Sequence, residues 1–494
     1  MIGIAAMRKR ALILIATTVS VTSLPAHAET NSSDATVKAL IDLLVQRGTI
    51  SRQEADQLVA AAQQRAAPPP ASIEVKAPAF LSQQEAAGTP DPSTAAPYPP
   101  QLVVKAAESN SLTVDWSEGD PKFVSPGGFS FRPRGRILID GQLASGSRFS
   151  DRNISTTGAR AARLGFEGTY GSNFFYQFEV DFADAATEVT SAYFGWRKKL
   201  SNSVTTELNV GSRLTERGID GSTGSDQTPF LERNAITIAL VPLKGFFGLG
   251  FTSKTFGSNW HVAVSVVGEP INSSSASDDS TTIIGRAHWN PIKTSAGVVH
   301  LGAWGYHEDY SSSVTNLTVN AREANRYNDN IRIFTGPLGA PNHSNAFGLE
   351  LGGTHNGLWA FGEYGERHIQ FRPSTGLGLV KLKAAAVSAG WVMTGEKAPF
   401  AQRGGTFTMM DVANPVFEGG LGAIELVARY ENTDFSDAPL GGKGRAWTAG
   451  LNWYLNDISR VMLNYIHFKT NNKSGDYVGP DAGNLLGTRF QISF

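Results

Sequence analysis

FFYQFEVDFAD, residues Phe174 to Asp184, alternates with a period of two. Phe174, Tyr176, Phe178, Val180 and Phe182 share one phase, and Gln177, Glu179 and Asp181 share the other. A β-strand sends successive side chains to opposite faces, so the segment predicts a strand with one aromatic face and one acidic face. Carboxylates in a row cannot sit in a dry core without partners. The two faces call for two solvents, hydrocarbon on one side and water on the other.

The pattern extends in both directions. Upstream, ARAARLGFEGTYG (159–171) sets Leu164, Phe166 and Tyr170 against Arg163, Gly165, Glu167 and Thr169. Further upstream, FSFRPRGRILID (129–140) sets Phe129, Phe131, Ile137 and Ile139 against Arg132, Arg134, Arg136 and Asp140, with Pro133 and Gly135 interrupting the apolar face. Downstream, Val204, Thr206, Leu208 and Val210 oppose Glu207, Asn209 and Arg213. Near the end, Trp447, Ala449, Leu451 and Trp453 oppose Thr448, Gly450 and Asn452. Val461, Leu463 and Tyr465 alternate less cleanly with Met462, Asn464 and Ile466. The terminal LLGTRFQISF puts Leu486, Thr488, Phe490, Ile492 and Phe494 on one face and Gly487, Arg489, Gln491 and Ser493 on the other.

An open sheet in lipid would leave unpaired edge N–H and C=O groups, each costing several kcal/mol, so the strands are expected to close into a barrel. The expected fold is all-β: a transmembrane antiparallel β-barrel over 129–494, with a last strand that pairs with the first. Sixteen strands allow roughly 23 residues per strand with its share of loop, and fourteen or eighteen also fit the length. The competing architecture is a soluble β-sandwich, which alternates in the same way but meets water outside and a second sheet inside. Tyr193, Trp196, Trp447 and Tyr454 are candidates for an aromatic girdle at the membrane interface.

Composition agrees. Only 18% of residues are charged, against about 25% in an ordinary soluble domain, and 52 of 494 are glycine. There is no cysteine, which excludes disulfides, thiolate metal sites and cysteine nucleophiles. Forty-three basic and 44 acidic residues give a net charge of -1, unlike the strongly basic balance of a nucleic-acid binder.

Residues 1–28 form an export signal: Arg8, Lys9 and Arg10, an apolar run from Ala11 to Val21, and an Ala26-His27-Ala28 cleavage site. Residues 29–65 predict two short helices, with Gly48 ending the first and Ser51/Glu54 capping the second, either as a helical hairpin or as a coiled-coil oligomer. Residues 66–128 are a Pro-rich linker followed by short pre-barrel strands, notably Leu102–Val104 and Leu112–Trp116.

GRILIDG (135–141), ARLGFEGTYGSNFFYQFEVDFA (162–183), FLERN (230–234), TGEKAPF (394–400), GAIELVARYENTDFSD (422–437), GLNWYLNDISRVMLNYIHF (450–468) and the terminal FQISF resemble the phosphate-selective porin O and P family of outer-membrane porins. The resemblance implies a sixteen-stranded barrel, a homotrimer, and passive diffusion of small anions or other small solutes along basic side chains and a constriction loop. Alternation nominates Arg132, Arg134, Arg136, Arg163 and Arg213 as lumen-facing bases, with Glu167, Glu179, Asp181 and Glu207 on the same face, so the expected lumen is mixed in sign. Guanidinium groups match phosphate oxygens in a planar fork. Their alternative role is pairing with wall acids.

The segment from Arg213 to Arg233 is too polar and glycine-rich for a strand and reads either as a loop folded into the lumen or as a surface loop. Ser273–Thr282, Asn316–Asn330 and Asp476–Asn484 read as further loops, Gly441–Ala446 as another, and Lys381 and Lys383 as wall or loop bases. No cofactor, metal site or catalysis is expected. H-E-x-x-H and the nucleophile elbow are absent, and GGKGRA lacks the full phosphate-loop pattern. His300 and His307 read as wall, rim or loop residues. Expected partners are outer-membrane lipid, the solute and further copies of the chain. The segment 29–65 is periplasmic, touching the cell wall or assembling the oligomer, and no nucleic acid is expected. A plugged barrel acting in binding or attachment, and a barrel hydrolase, are the competing functions.

Overall fold

The computed structural model describes residues 112–115, 121–183, 187–273, 278–323 and 326–494. The predicted export signal, the helical pair and the proline-rich run lie outside the described residues.

Sixteen antiparallel strands form one closed wall. The first five are β1 (Phe129–Ser145), β2 (Ser155–Tyr170), β3 (Phe174–Asp181), β4 (Glu188–Lys199) and β5 (Thr205–Leu214). Next come β6 (Phe247–Phe256), β7 (Trp260–Val267), β8 (Thr281–Lys293), β9 (Gly297–Asp309) and β10 (Pro341–His355). The last six are β11 (Leu358–Phe371), β12 (Leu379–Val392), β13 (Ala423–Asp434), β14 (Lys443–Asn456), β15 (Ser459–Asn472) and β16 (Gly479–Ser493). Each pairs with its neighbours in chain order, and β16 closes on β1 from Ser493 opposite Arg136 to Asn484 opposite Ser145. Phe494 extends the seam, exchanging backbone hydrogen bonds of 2.7 and 2.9 Å with Gly135. A Cβ on Gly135 would lie 2.7 Å from the Phe494 ring, so the gap in the apolar face of β1 is room for the terminal aromatic. A short hairpin, Thr113–Asp115 with Lys122–Val124, extends the start of β1.

The outer face is apolar. Ile139, Leu349, Leu351 and Val387 are each more than half exposed, and Phe131, Phe166 and Phe178 form an aromatic ladder across three strands at centroid spacings of 5.4 and 5.6 Å. Leaving so much apolar surface in water would cost roughly 25 cal/mol per Å², whereas hydrocarbon accepts it. The closed, apolar-faced wall crosses the membrane with its strands. Among the described residues no helix is long and apolar enough to do so.

Six connections at one end span two to five residues, at 171–173, 200–204, 257–259, 294–296, 356–357 and 457–458. The other end carries every remaining connection except 393–422, including 215–246 and 310–340. Short turns mark the periplasmic end of such barrels and long loops the extracellular end.

Three segments turn inward. They are 215–246, with α1 (Ile219–Ser222) and α2 (Ala235–Ala239); 310–340; and 393–422, which enters from the short-turn end. Their contacts correct the expectation of a wet interior all round. The inner face of β8–β12 carries Ile284, Trp304, Tyr306, Ala346, Ile369, Phe371, Val380, Leu382 and Ala384, packed on Ile236, Leu240, Leu317, Ile333 and Leu338 of the inward segments. On β15, Ile466 faces inward because Ile331 packs against it, which explains the weak alternation there.

Other readings change too. Gly479–Asn484 and Lys443–Ala446 are strand rather than loop, because the neighbouring β15 pairs with both. Tyr193 faces the lumen, where the Arg213 guanidinium lies over its ring, and Tyr454 is buried and donates to Glu425 at 2.8 Å, so neither belongs to an outer girdle. Both share the phase of inward neighbours. His300 points inward to Glu350 at 2.9 Å, and His307 lies beside Asn345 on the opposite face of β9.

Candidate functional site

The segment 215–246 is held across the barrel by side chains of the wall that opposes β1–β5. Arg460 on β15 donates to the carbonyls of Asp226 and Thr228 at 2.7 and 2.9 Å, and Asn452 on β14 to that of Pro229 at 2.9 Å. Arg489 on β16 donates to the Leu231 carbonyl at 2.8 Å while gripping Asp140 of β1 through two bonds of 2.7 and 2.8 Å. That buried, bidentate pair therefore ties the closing seam to the loop. Glu363 accepts from Ile219 N at 2.8 Å and Glu431 from Ala235 N at 2.6 Å, and Arg367 donates to Val241 O at 2.6 Å. These buried polar side chains satisfy backbone groups that a loop in the lumen would otherwise leave unpaired. The 393–422 segment meets the loop from below: Phe407 N donates to Thr223 Oγ1 at 3.2 Å, and Phe230, Trp359, Phe361, Phe400 and Phe407 form one aromatic cluster. Arg286 holds this segment through the carbonyls of Gly404 and Gly405 at 2.9 and 2.6 Å.

With the loop drawn to the far side, a cavity of 440 Å³ remains between it and the inner face of β1–β5. The wall contributes Arg134, Arg136, Arg160, Arg163 and Arg213, together with Glu179 and Glu188. The loop contributes Asp226, Glu232, Arg233 and Lys244, and the 310–340 segment contributes Arg322 and Arg326. Nine bases thus face four acids.

The wall arginines are fixed by acids. Glu179 is the hub: Arg163 lies 3.0 Å away, Arg136 3.2 Å and Arg134 3.3 Å. Arg163 also binds Asp181 at 2.8 Å, Arg134 pairs with Glu167, and Arg136 pairs with Asp226 of the loop. Arg213 lies 3.8 Å from Glu207, which Arg197 holds at 2.7 Å. Of the nine residues nominated by alternation, Arg134, Arg136, Arg163, Arg213 and Glu179 border the cavity. Glu167, Asp181 and Glu207 stand behind it as partners, and Arg132 is half-buried on β1 outside its lining.

Alternation missed Arg160. Counting by twos from Arg163 sends residue 160 to the lipid side. The pairing of β1 with β2 slips between Leu138/Ala161 and Ile139/Ala159, so Arg160 is the extra residue of a β-bulge. The bulge turns its side chain inward, where Glu232 accepts at 2.9 Å. A second slip between β3 and β4 makes Thr190 the extra residue, and it too lines the cavity. The loop bases were out of reach for another reason: no local pattern says which loop enters a lumen.

Outside the strands, burial shifts several groups. Lys244, whose ammonium donates to Thr215 Oγ1 at 3.0 Å, is pushed down to about 7 by burial and by the nearby Arg217. Burial pushes Glu232 up, but Arg160 and Arg489 outweigh it and hold the carboxylate below its ordinary range. Asp220 is raised, burial outweighing the pull of Arg429.

The sequence profile described as "Phosphate-selective porin O and P" matches residues 131–494. An uncharacterized protein of Caulobacter vibrioides is 27% identical over 455 residues, covering 89% of this chain and 84% of its own. Porin O of Pseudomonas aeruginosa is 24% identical over 403 residues, covering 74% and 89%. The solved structure of OmpT, an outer membrane protein of Vibrio cholerae, is similar with a TM-score of 0.46 at 12% identity, covering 74% of this chain and 98% of that one. A closed sixteen-stranded wall, an apolar exterior and a profile match over the whole barrel make this chain an outer-membrane porin of the phosphate-selective porin O and P family.

Proposed function

We propose that this porin passes small anions, oxyanions of the phosphate type among them, through the cavity between the 215–246 loop and the β1–β5 wall. The observation that carries the reading is the nine-to-four excess of basic over acidic lining residues. Arg134, Arg136, Arg163 and Arg213 line the path. Arg132, Glu167, Asp181 and Glu207 serve the wall as neighbours and counter-charges. The acids leave a net positive field and hold each guanidinium in place, which lowers the barrier for an anion without trapping it. Guanidinium forks suit tetrahedral oxyanions better than halides. Family membership supports assembly as a homotrimer. Segment 29–65 is assigned to the periplasmic side in this reading, its role either contact with the cell wall or assembly of the oligomer.

The test is the reversal potential of the reconstituted protein in a potassium chloride gradient, repeated with potassium phosphate. A potential of the sign set by anion flux is the expected outcome, with phosphate reducing chloride current. Cation preference would overturn the reading.

A further inference from the structure

The porin's outer wall carries a second basic site, remote from the lumen. Arg445 on β14 and Lys469 on β15 are direct cross-strand partners, both exposed on the lipid-facing side near the extracellular end. Lys443 stands two residues further out on β14, opposite Asn471, and Asn432 stands opposite Arg445. These side chains border a cavity of 560 Å³ on the barrel's surface.

Two like charges placed directly opposite one another destabilise an antiparallel pair. Acids do not relieve this one. Asp434 pairs with Lys443 at 2.9 Å, and the Asp481 carboxylate is turned inward to Arg152 and Ser147, both at 2.7 Å. Among the described residues neither the Arg445 nor the Lys469 side chain has an ion-pair or hydrogen-bond partner.

Depth along the wall says what kind of anion fits. The next outward row toward the membrane centre holds Tyr430, Trp447 and His467, with Tyr430 and Trp447 at a ring spacing of 4.3 Å. Tyr465 follows and donates to Asn484 at 2.8 Å. Tyr and Trp concentrate at the membrane–water interface. The bases lie two residues beyond this row, roughly 7 Å, which is headgroup level. Below it Leu451, Leu463 and Leu486 present apolar wall for acyl chains.

The geometry points to a binding site for the phosphorylated headgroup of an anionic glycolipid in the extracellular leaflet, held by Lys443, Arg445 and Lys469. The shared chemistry is phosphate. The lipid rather than the free ion is the ligand because the bases border the hydrocarbon belt, so one molecule can satisfy both.

The test is native mass spectrometry of the detergent-purified full chain with diphosphoryl lipid A, its dephosphorylated counterpart, and inorganic phosphate. The wild type is expected to retain the diphosphoryl lipid, and R445Q/K469Q to bind it at least about ten-fold more weakly, with conductance unchanged and heat stability no lower, since the substitution removes the like-charge pair. K397Q, an exposed lysine at the other end, is expected to leave binding unchanged. Equal retention by R445Q/K469Q, equal retention of the dephosphorylated lipid, or displacement by low inorganic phosphate would each overturn the assignment. Protection of Lys469 from amine labelling by a second copy rather than by lipid would overturn it as well.

Discussion

The β1–β5 wall and the β8–β12 wall look alike from the lipid and differ from within. Outside, both present alternating apolar groups, such as Ile137 and Ile139 on one and Leu349 and Val387 on the other. Inside, β1–β5 presents Arg134, Arg136, Arg163 and Glu179 to a cavity, while β8–β12 presents Trp304, Ile369, Phe371 and Leu382 to a packed core. The charges on the second wall, such as Arg367 and Glu308 at 2.9 Å, face each other or the loop backbone. One half of the barrel thus borders an open cavity, and the other packs like half of a globular domain whose remainder is loop. A membrane fixes the outer face of every strand. The inner face answers only to what the chain itself places there.

This contrast breaks most directly through packing. Leu382→Ala on the buried side is expected to cost about 2–5 kcal/mol, read as a lower unfolding temperature or urea midpoint, with the anion-to-cation permeability ratio unchanged. A shift in that ratio would mean that the β8–β12 interior is wet. Arg163→Gln on the open side should do the reverse. It removes contacts to both Glu179 and Asp181, so the permeability ratio should fall about two-fold or more while the fold persists. An unmoved reversal potential would take Arg163 off the path.

The smallest expected effect is one of pH. Lys244 titrates at about 7 and borders the cavity, so it is charged below that value and neutral above it. Anion preference should therefore decline modestly as pH rises from 6 to 8. In Lys244→Met the preference should be flat and match the high-pH limit of the wild type. A variant that keeps the wild-type pH dependence would place the titrating group elsewhere.

The legible part of the molecule follows from period-two geometry. Glu179 and Asp181 lie opposite Phe178 and Val180 on any strand that includes them, and acids in series require water. The same rule reaches the closing strand, where Arg489 and Gln491 face inward as their phase demands. It misled at Arg160, where one inserted residue reverses every facing beyond it. Tyr193 and Tyr454 show a different error, since aromatic type suggested the interface while phase already placed both inside.

By itself the sequence determined that the strands form, that their outer face meets hydrocarbon and that the sheet closes, because each follows from residues adjacent along the chain and from the solvent they require. Only the tertiary structure decided which inner faces are wet, which loops fill the lumen and where nine bases converge. Those outcomes depend on contacts such as Arg460 with Asp226, 234 residues apart, which no local pattern encodes.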